Sequence, residues 1–485
     1  MEKIKKKIDF TNGRVFYKIL LFVLPIVATN LLQVLYNAAD MMVVSLSHEQ
    51  NSVGAIGVTG PFVNLIVNIF MGFSVGANVV VAREIGAKNK EKTQTAVHTS
   101  LLMAVIFGTI GLVIGLIVSR PVLILMGNTG NLLDLAVTYT QIYFCGVPFL
   151  ALTNYLIAIF RAKGDSKTPL IVLTLTGLLN VALNFFFVLV VGLSVEGVSL
   201  ATSISNIVSA AVLLLKLRRD QDYTTFSFRK LRLDRKAFKS IVIVGLPAGI
   251  QGSLFSLSNM LIQSSVVTVN NILSPGTHYQ PIVNGSSAAG NLEGFAYTAM
   301  NAVYQGAITF TGQNMGANKP ERVYRIMFSC FLITTIIGVT VCTLILSFIE
   351  PLLGLYGIVH GAEGSLEALA MDAAKTRAFY VLTLYFLCGL MEVCTGVLRG
   401  MGKSFTSTII SLVGACLLRI LWLAIVFPKF PTMECIFVSY PITWFATTAF
   451  AFAVILLLLS RILRMKKAQE QAELVKEQTS EPVQE

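Results

Sequence analysis

Apolar residues fill this chain in long unbroken stretches, without the strict alternation of a half-buried strand or the narrow stripe of a surface helix. Twelve stretches stand out, at about 15–46, 54–81, 96–118, 132–160, 168–192, 197–216, 240–269, 292–314, 324–349, 377–398, 405–428 and 436–460. About 20 apolar residues cross a ~30 Å hydrocarbon core as a helix. In lipid a helix satisfies all its own backbone groups, whereas barrel strands would alternate in polarity. The pattern therefore predicts an all-α polytopic membrane protein of twelve transmembrane helices. Lys3, Lys5, Lys6 and Lys7 imitate the basic start of a signal peptide. The apolar run behind them is too long for one and reads as the first span.

Short polar segments separate these stretches, and some of them recur. "IGAKNKEK" (85–92) returns as "MGANKPER" (315–322), and "PVLILMG" (121–127) as "PLLGLYG" (351–357). "FRAKGDSKT" (160–168) returns as "LRGMGKSFT" (398–406), and Pro25 has its counterpart in Pro247. A repeat of six spans keeps its orientation, so two six-helix bundles are expected around a pseudo-twofold axis along the membrane normal. The division is an N-terminal lobe (1–217), an inter-lobe linker (218–239), a C-terminal lobe (240–464) and a charged tail (465–485). The tail is expected to be solvated or disordered. The polar segment 270–291 is expected to be an external loop.

Composition agrees with this class and charge orients it. Of 485 residues 55% are hydrophobic and 13% charged, against about 25% charged in soluble domains. The net charge of +12 could suggest nucleic acid, but its placement argues otherwise. The Lys and Arg lie in the N-terminal segment, in the loops after spans 2, 4, 6, 8 and 10, and in the tail. Only Arg120, Lys375, Arg377 and Lys429 lie opposite, with Arg419 inside a span. The positive-inside rule then puts both termini in the cytoplasm of a cell (plasma or inner) membrane. Nucleic acid is not an expected partner, and a monomer is expected. The seven cysteines form no CxxC pair and read as small core residues.

Ionisable residues inside spans are functional candidates, because a charge at the bilayer centre costs from ~2.5 kcal/mol upward. Asp40, Glu392 and Arg419 are such residues. Asp40 ends a stripe of Asn30, Gln33, Asn37 and Asp40, spaced to share one helix face. Asn180 and Asn184 lie one turn apart in span 5, and Thr202 follows in span 6. One carboxylate with several neutral oxygens suits Na⁺, and a buried carboxyl without a basic partner equally suits a proton. The amides also fit a role as interhelical glue. Glu392 and Arg419 either pair with each other or leave Glu392 as a second ion or substrate carboxylate. Asn259 and Gln263 in span 7, and Tyr297, Asn301, Tyr304 and Gln305 in span 8, continue the polar faces. Asn37, Asn259, Gln263, Asn301, Gln305 and Glu392 are accordingly candidates for substrate contact. Pro25, Pro148, Pro247 and Pro441 are expected to kink their spans, with Pro25 a hinge coupled to Asp40. His48, His98, His278 and His360 lie in or near loops, and HExxH and GxSxG are absent. An enzyme is not expected, nor any cofactor beyond Na⁺ or H⁺ as coupling ion.

The chain resembles the multidrug and toxic compound extrusion family over roughly residues 11–460. The resemblance rests on "LLQVLYNAAD" in span 1, the paired "RAKGDSKTP" and "RGMGKS", and "GFAYTAMNAVYQGAITFTGQNMGA" in span 8. It implies a V-shaped, alternating-access antiporter exporting cationic or amphiphilic small molecules in exchange for Na⁺ or H⁺. The closest branch carries an Asp in span 1. By that likeness Asp40, Asn180, Asn184 and Thr202 form the cation site, while Gln33, Tyr36 and Asn154 contact substrate. Some members have a second Asp where this chain has Asn184. Opposite Asp40 the second half has Ile262 and Gln263, and Phe255 stands where another branch keeps an acid, so coupling is expected in the first lobe. A flippase for a lipid-linked oligosaccharide, from the same superfamily, is the second reading.

Overall fold

The computed structural model describes residues 10–47, 52–220, 222–275 and 280–480, with the side chains of 474–480 left aside. His48, His278 and the lysines at 3–7 lie outside the described residues. Among these residues there is no strand. The first lobe holds α1 (Val15–Ser45), α2 (Ser52–Gly86), α3 (Lys90–Leu125), α4 (Gly130–Ala162), α5 (Lys167–Val190) and α6 (Val195–Arg219). The second holds α7 (Arg235–Leu273), α8 (Pro281–Gly316), α9 (Glu321–Ser347), a broken α10 (Leu366–Leu382, then Phe386–Gly400, bent by 46°), α11 (Ser404–Ile425) and α12 (Met433–Ser480).

Ten of these helices are long and apolar enough to cross a membrane, and the two halves of α10 make an eleventh span. The twelfth, α8, is 36 residues long but polar. It packs on α1, α2 and α9 and on both halves of α10, so protein rather than lipid covers most of its face.

The repeat is written into the backbone of the turns. The two non-glycine residues with left-handed backbone among the described residues are Lys88 and Asn318, both at φ 54°. They stand 230 residues apart, at matching points after α2 and α8. The same spacing relates Gly127 (φ 86°) to Gly357 (φ 76°). Each turn reverses a helix within a few residues, which the left-handed conformation permits.

The lobes meet along α2, which packs on α7 with Gly72 and Gly76 against Gly249 and Gly245, and again at the end that carries the basic loops. There α2 crosses α8, Gln313 Nε2 donates to the Ala162 carbonyl at 2.6 Å, and Arg83 Nη2 donates to the Met401 carbonyl at 3.2 Å. Asn314 Nδ2 donates to the Phe10 carbonyl at 3.0 Å, tying the N-terminal segment over the same end.

Four expectations change. The linker shrinks to 220–234, because α6 runs to Arg219 and Asp234 caps α7 by accepting from Ala237 N–H at 2.8 Å. The expected long loop at 270–291 is mostly helix, since α7 continues to Leu273 and α8 starts at Pro281. The tail extends α12 to Ser480, in keeping with its Ala, Glu, Gln and Lys content. His98 is not a loop residue: it is buried in α3, its Nδ1 donating to the Gln94 carbonyl at 2.6 Å and its Nε2 accepting from Ser227 N–H at 3.0 Å.

Candidate functional site

Asp40 reaches its neighbours because α1 lies close against α5. The Tyr36 ring occupies the space a side chain at position 177 would take: a Cβ on Gly177 would stand 1.9 Å from it. The Tyr36 hydroxyl donates to the Thr174 carbonyl at 3.2 Å. One turn beyond Tyr36, Asp40 then meets Asn180 and Asn184, which face α1 from successive turns of α5.

Asn184 Nδ2 donates to Asp40 Oδ1 at 2.5 Å. The Asn180 amide is oriented with its nitrogen toward the carboxylate, since the reverse sets two oxygens face to face. It then donates to Asp40 Oδ1 at 2.8 Å, and its oxygen accepts from Thr202 N–H at 3.3 Å. The four residues named from the sequence thus form one cluster. Its donors suit an ionised carboxylate. Asn184 Oδ1 is buried and makes no hydrogen bond. With the carboxylate and the Thr202 hydroxyl it forms a set of hard oxygen donors that fits Na⁺. The last turn of α5, Phe186–Val190, is a π-turn that begins two residues after Asn184, a distortion often found beside functional residues.

Two residues near this site were not singled out from the sequence. Tyr139 and Tyr143 on α4 lie within electrostatic reach of Asp40, and their rings stack with centroids 6.1 Å apart. They sit four residues apart, on one face of α4, a spacing that could have drawn notice.

Between the lobes lies a cavity of about 450 Å³, within the range of small-molecule sites. Asn30, Gln33 and Asn37 of α1, Asn154 of α4, and Asn301 and Gln305 of α8 line it. Asn30 Nδ2 also donates to the Thr298 carbonyl at 3.2 Å, holding α1 to α8. The other substrate candidates lie elsewhere. Tyr36 is packed on α5, Asn259 is exposed on α7, and Gln263 and Glu392 are outside the lining. Two residues counted as loop charges are in the wall instead, Arg161 at the end of α4 and Arg399 at the end of α10. The recurring "FRAKG" and "LRGMG" could have marked them as a pair.

The second lobe has a different polar interior. Glu392 and Arg419 do not form an ion pair. Arg419 Nη2 donates to Thr443 Oγ1 at 3.1 Å, and its guanidinium lies 3.9 Å from the Tyr440 ring centre. The buried ion pair of this lobe is Glu293 with Arg377, bidentate at 2.7 and 2.8 Å, with Arg377 Nη1 also donating to Ser286 Oγ at 3.1 Å. Arg377, read as a loop charge, is therefore internal. Ile262, opposite Asp40 in the repeat, is buried in the apolar core of its lobe. Hence the second lobe has an apolar side chain at the place that matches the Asp40 carboxylate.

A family model described as MatE matches residues 25–186 and 255–425, more than half of the chain. A probable multidrug resistance protein, YoeA of Bacillus subtilis, is 28% identical over 81% of this chain and 82% of its own length. The multidrug export protein MepA of Staphylococcus aureus is 22% identical over 85% of this chain and 88% of its own. A solved outward-facing multidrug resistance MATE family transporter superposes with a TM-score of 0.85. That match is at 21% identity and covers 96% of this chain and all of the other.

Proposed function

Because the chain belongs to the MatE family, whose members are transporters and not enzymes, we propose that it is a secondary active antiporter. It exports amphiphilic small molecules from the cytoplasm in exchange for Na⁺ or H⁺, acting as a monomer in the cell membrane. The observation that carries this reading is the single face of α1. Asn30, Gln33 and Asn37 stand in the cavity wall, and Asp40, one turn on, is held by α5.

The chemistry follows from that face. While Asp40 is ionised, two amide N–H groups hold it, and such charge-assisted bonds are about twice as strong as neutral ones. A cation or proton arriving from outside cancels the charge and weakens both bonds, loosening α1 from α5. The same helix then shifts its polar residues in the cavity wall, so ion uptake favours substrate release. One charge moving through 100 mV contributes about 2.3 kcal/mol, enough to sustain roughly a fiftyfold concentration ratio. The lobes are joined at the basic end, as an outward-facing state requires, and alternating access means breaking that junction while the outer ends close. Pro25 lies in an unbroken α1 fifteen residues before Asp40. Its ring denies one carbonyl a helical partner, which makes it the place for α1 to bend.

The lining contains no carboxylate, so the cavity offers a cation hydrogen-bond acceptors but no counter-ion. An oligosaccharide flippase is disfavoured by relatives named for multidrug export.

The test is efflux of a zwitterionic rhodamine dye from proteoliposomes under an imposed Na⁺ or pH gradient. The wild type is expected to respond to one of the two, which identifies the ion. Asp40→Asn is expected to insert normally and lose the response. Retained gradient-driven efflux in that variant refutes the reading.

A further inference from the structure

Arg161 and Arg399 end helices related by the repeat and stand 238 residues apart, the spacing of the two motifs that contain them. Both line the inter-lobe cavity. The Arg161 side chain makes no hydrogen bond or ion pair with any described residue, and its Nε is buried without a partner. Arg399, 5% exposed, donates to the Tyr304 hydroxyl and, at 3.0 Å, to Gln251 Oε1, and its Nε is likewise unsatisfied. Neither has a carboxylate partner among the described residues, though Glu392 lies within electrostatic reach of Arg399.

Arginines suit the C-terminal turn of a helix, where the carbonyl ends are negative. Placement there explains why a basic residue is tolerated. It does not explain two guanidinium groups turned into a cavity whose wall lacks any acid. An unpaired charge in such a place is costly, and a bound anion removes the cost. The guanidinium fork matches the two oxygens of a carboxylate or phosphate, while the surrounding Asn and Gln side chains can bond the rest of a polar ligand.

We propose that Arg161 and Arg399 form an oxyanion subsite at the basic end of the cavity, so that the preferred substrates are amphiphiles bearing a carboxylate or phosphate group. This rests on the cavity being the substrate site of the exporter proposed above. Of the cationic or amphiphilic substrates that the resemblance implies, it selects amphiphiles that carry an anionic group. The pseudo-twofold pair lets each lobe contribute one arginine. Opening the junction between the lobes would then part the two guanidinium groups and weaken the grip on the anion.

The test is equilibrium binding of dansylglycine and of its uncharged amide to the purified protein in detergent, read by dansyl fluorescence. The wild type is expected to bind the acid about tenfold more tightly than the amide, the effect of one charge-assisted bond. Arg161→Gln is expected to bring the two probes within about twofold while leaving the amide unchanged, and Arg161→Lys to keep an intermediate preference. Displacement by benzoate or by phenyl phosphate then tells which oxyanion fits. Equal affinities in the wild type, an undiminished preference in Arg161→Gln, or displacement by neither anion overturns the proposal. Binding is read without a gradient and on the wild type and the Arg161 variants alone, so it does not depend on which ion Asp40 takes. Failure of the coupling experiment and failure of this one are thereby separate results.

Discussion

Gly86 and Gly316 occupy matching places on α2 and α8, and each is pressed against the other's helix. A Cβ on Gly86 would come 2.0 Å from the Gln313 carbonyl oxygen, and one on Gly316 would come 1.9 Å from that of Arg83. Arg83 and Gln313 are themselves counterparts, so the crossing is the same contact made twice. Backbone carbonyls cannot step aside as a side chain can, and only hydrogen fits at either position.

That junction is expected to reject any side chain. Gly86→Val should separate the helices at the basic end, lowering thermal stability by about 1–3 kcal/mol, as overpacking does, and abolishing efflux. Thermal unfolding in detergent and dye efflux measure the two effects. Unchanged values for both would mean the lobes do not need this contact.

Bending of α1 at Pro25 predicts a different defect. Pro25→Ala restores the missing backbone bond and favours the straight helix, so dye binding should persist while coupled efflux falls by about tenfold or more, the effect of ~1.4 kcal/mol in the bending equilibrium. Full export by this variant would remove Pro25 from the mechanism.

A second carboxylate beside Asp40 should change ion preference. Asn184→Asp replaces a neutral oxygen donor with a charged one and raises the demand for a cation, so the Na⁺ concentration for half-maximal efflux is expected to fall about tenfold. Titration of efflux against Na⁺ at fixed pH decides it. An unchanged Na⁺ response would show that position 184 does not touch the ion.

The Glu293–Arg377 pair should behave as a structural unit of the second lobe. Arg377→Met strands a buried carboxylate and is expected to cost about 3–5 kcal/mol, whereas Glu293→Gln with Arg377→Met should recover most of the loss. A double-mutant cycle on unfolding temperatures measures the coupling. Additive losses would place the two side chains in independent roles.

Much of this was legible because lipid enforces simple patterns. Continuous apolar runs placed the helices, and the repeated loop motifs revealed two halves that the turns at Lys88 and Asn318 reproduce in backbone angles. Asp40, Asn180, Asn184 and Thr202 each stood out as a polar residue in a span, and the family resemblance, rather than spacing, brought them together. What sequence spacing hides is the pairing of faces from distant helices. Glu293 and Arg377 are 84 residues apart, and Arg377 read only as a charge on the outer side. Arg161 and Arg399 sit where helix ends meet basic loops, so their charge read as topology until the cavity showed where they point. Tyr139 and Tyr143 escaped notice because aromatic residues inside a span resemble packing.

The polarity of α8 also bears on how the chain is made. With Glu293, Asn301, Gln305, Gln313 and Asn314 along its length, this segment is not among those apolar enough to cross by composition alone. Its polar groups are sheltered by α1 and α2, synthesised more than 200 residues earlier, and by α10, which emerges later. Partition of α8 from the translocon into lipid thus depends on helices on both sides of it in the chain. The first lobe is in this sense the insertion partner of the second, and a C-terminal half expressed by itself lacks the surface on which α8 comes to rest.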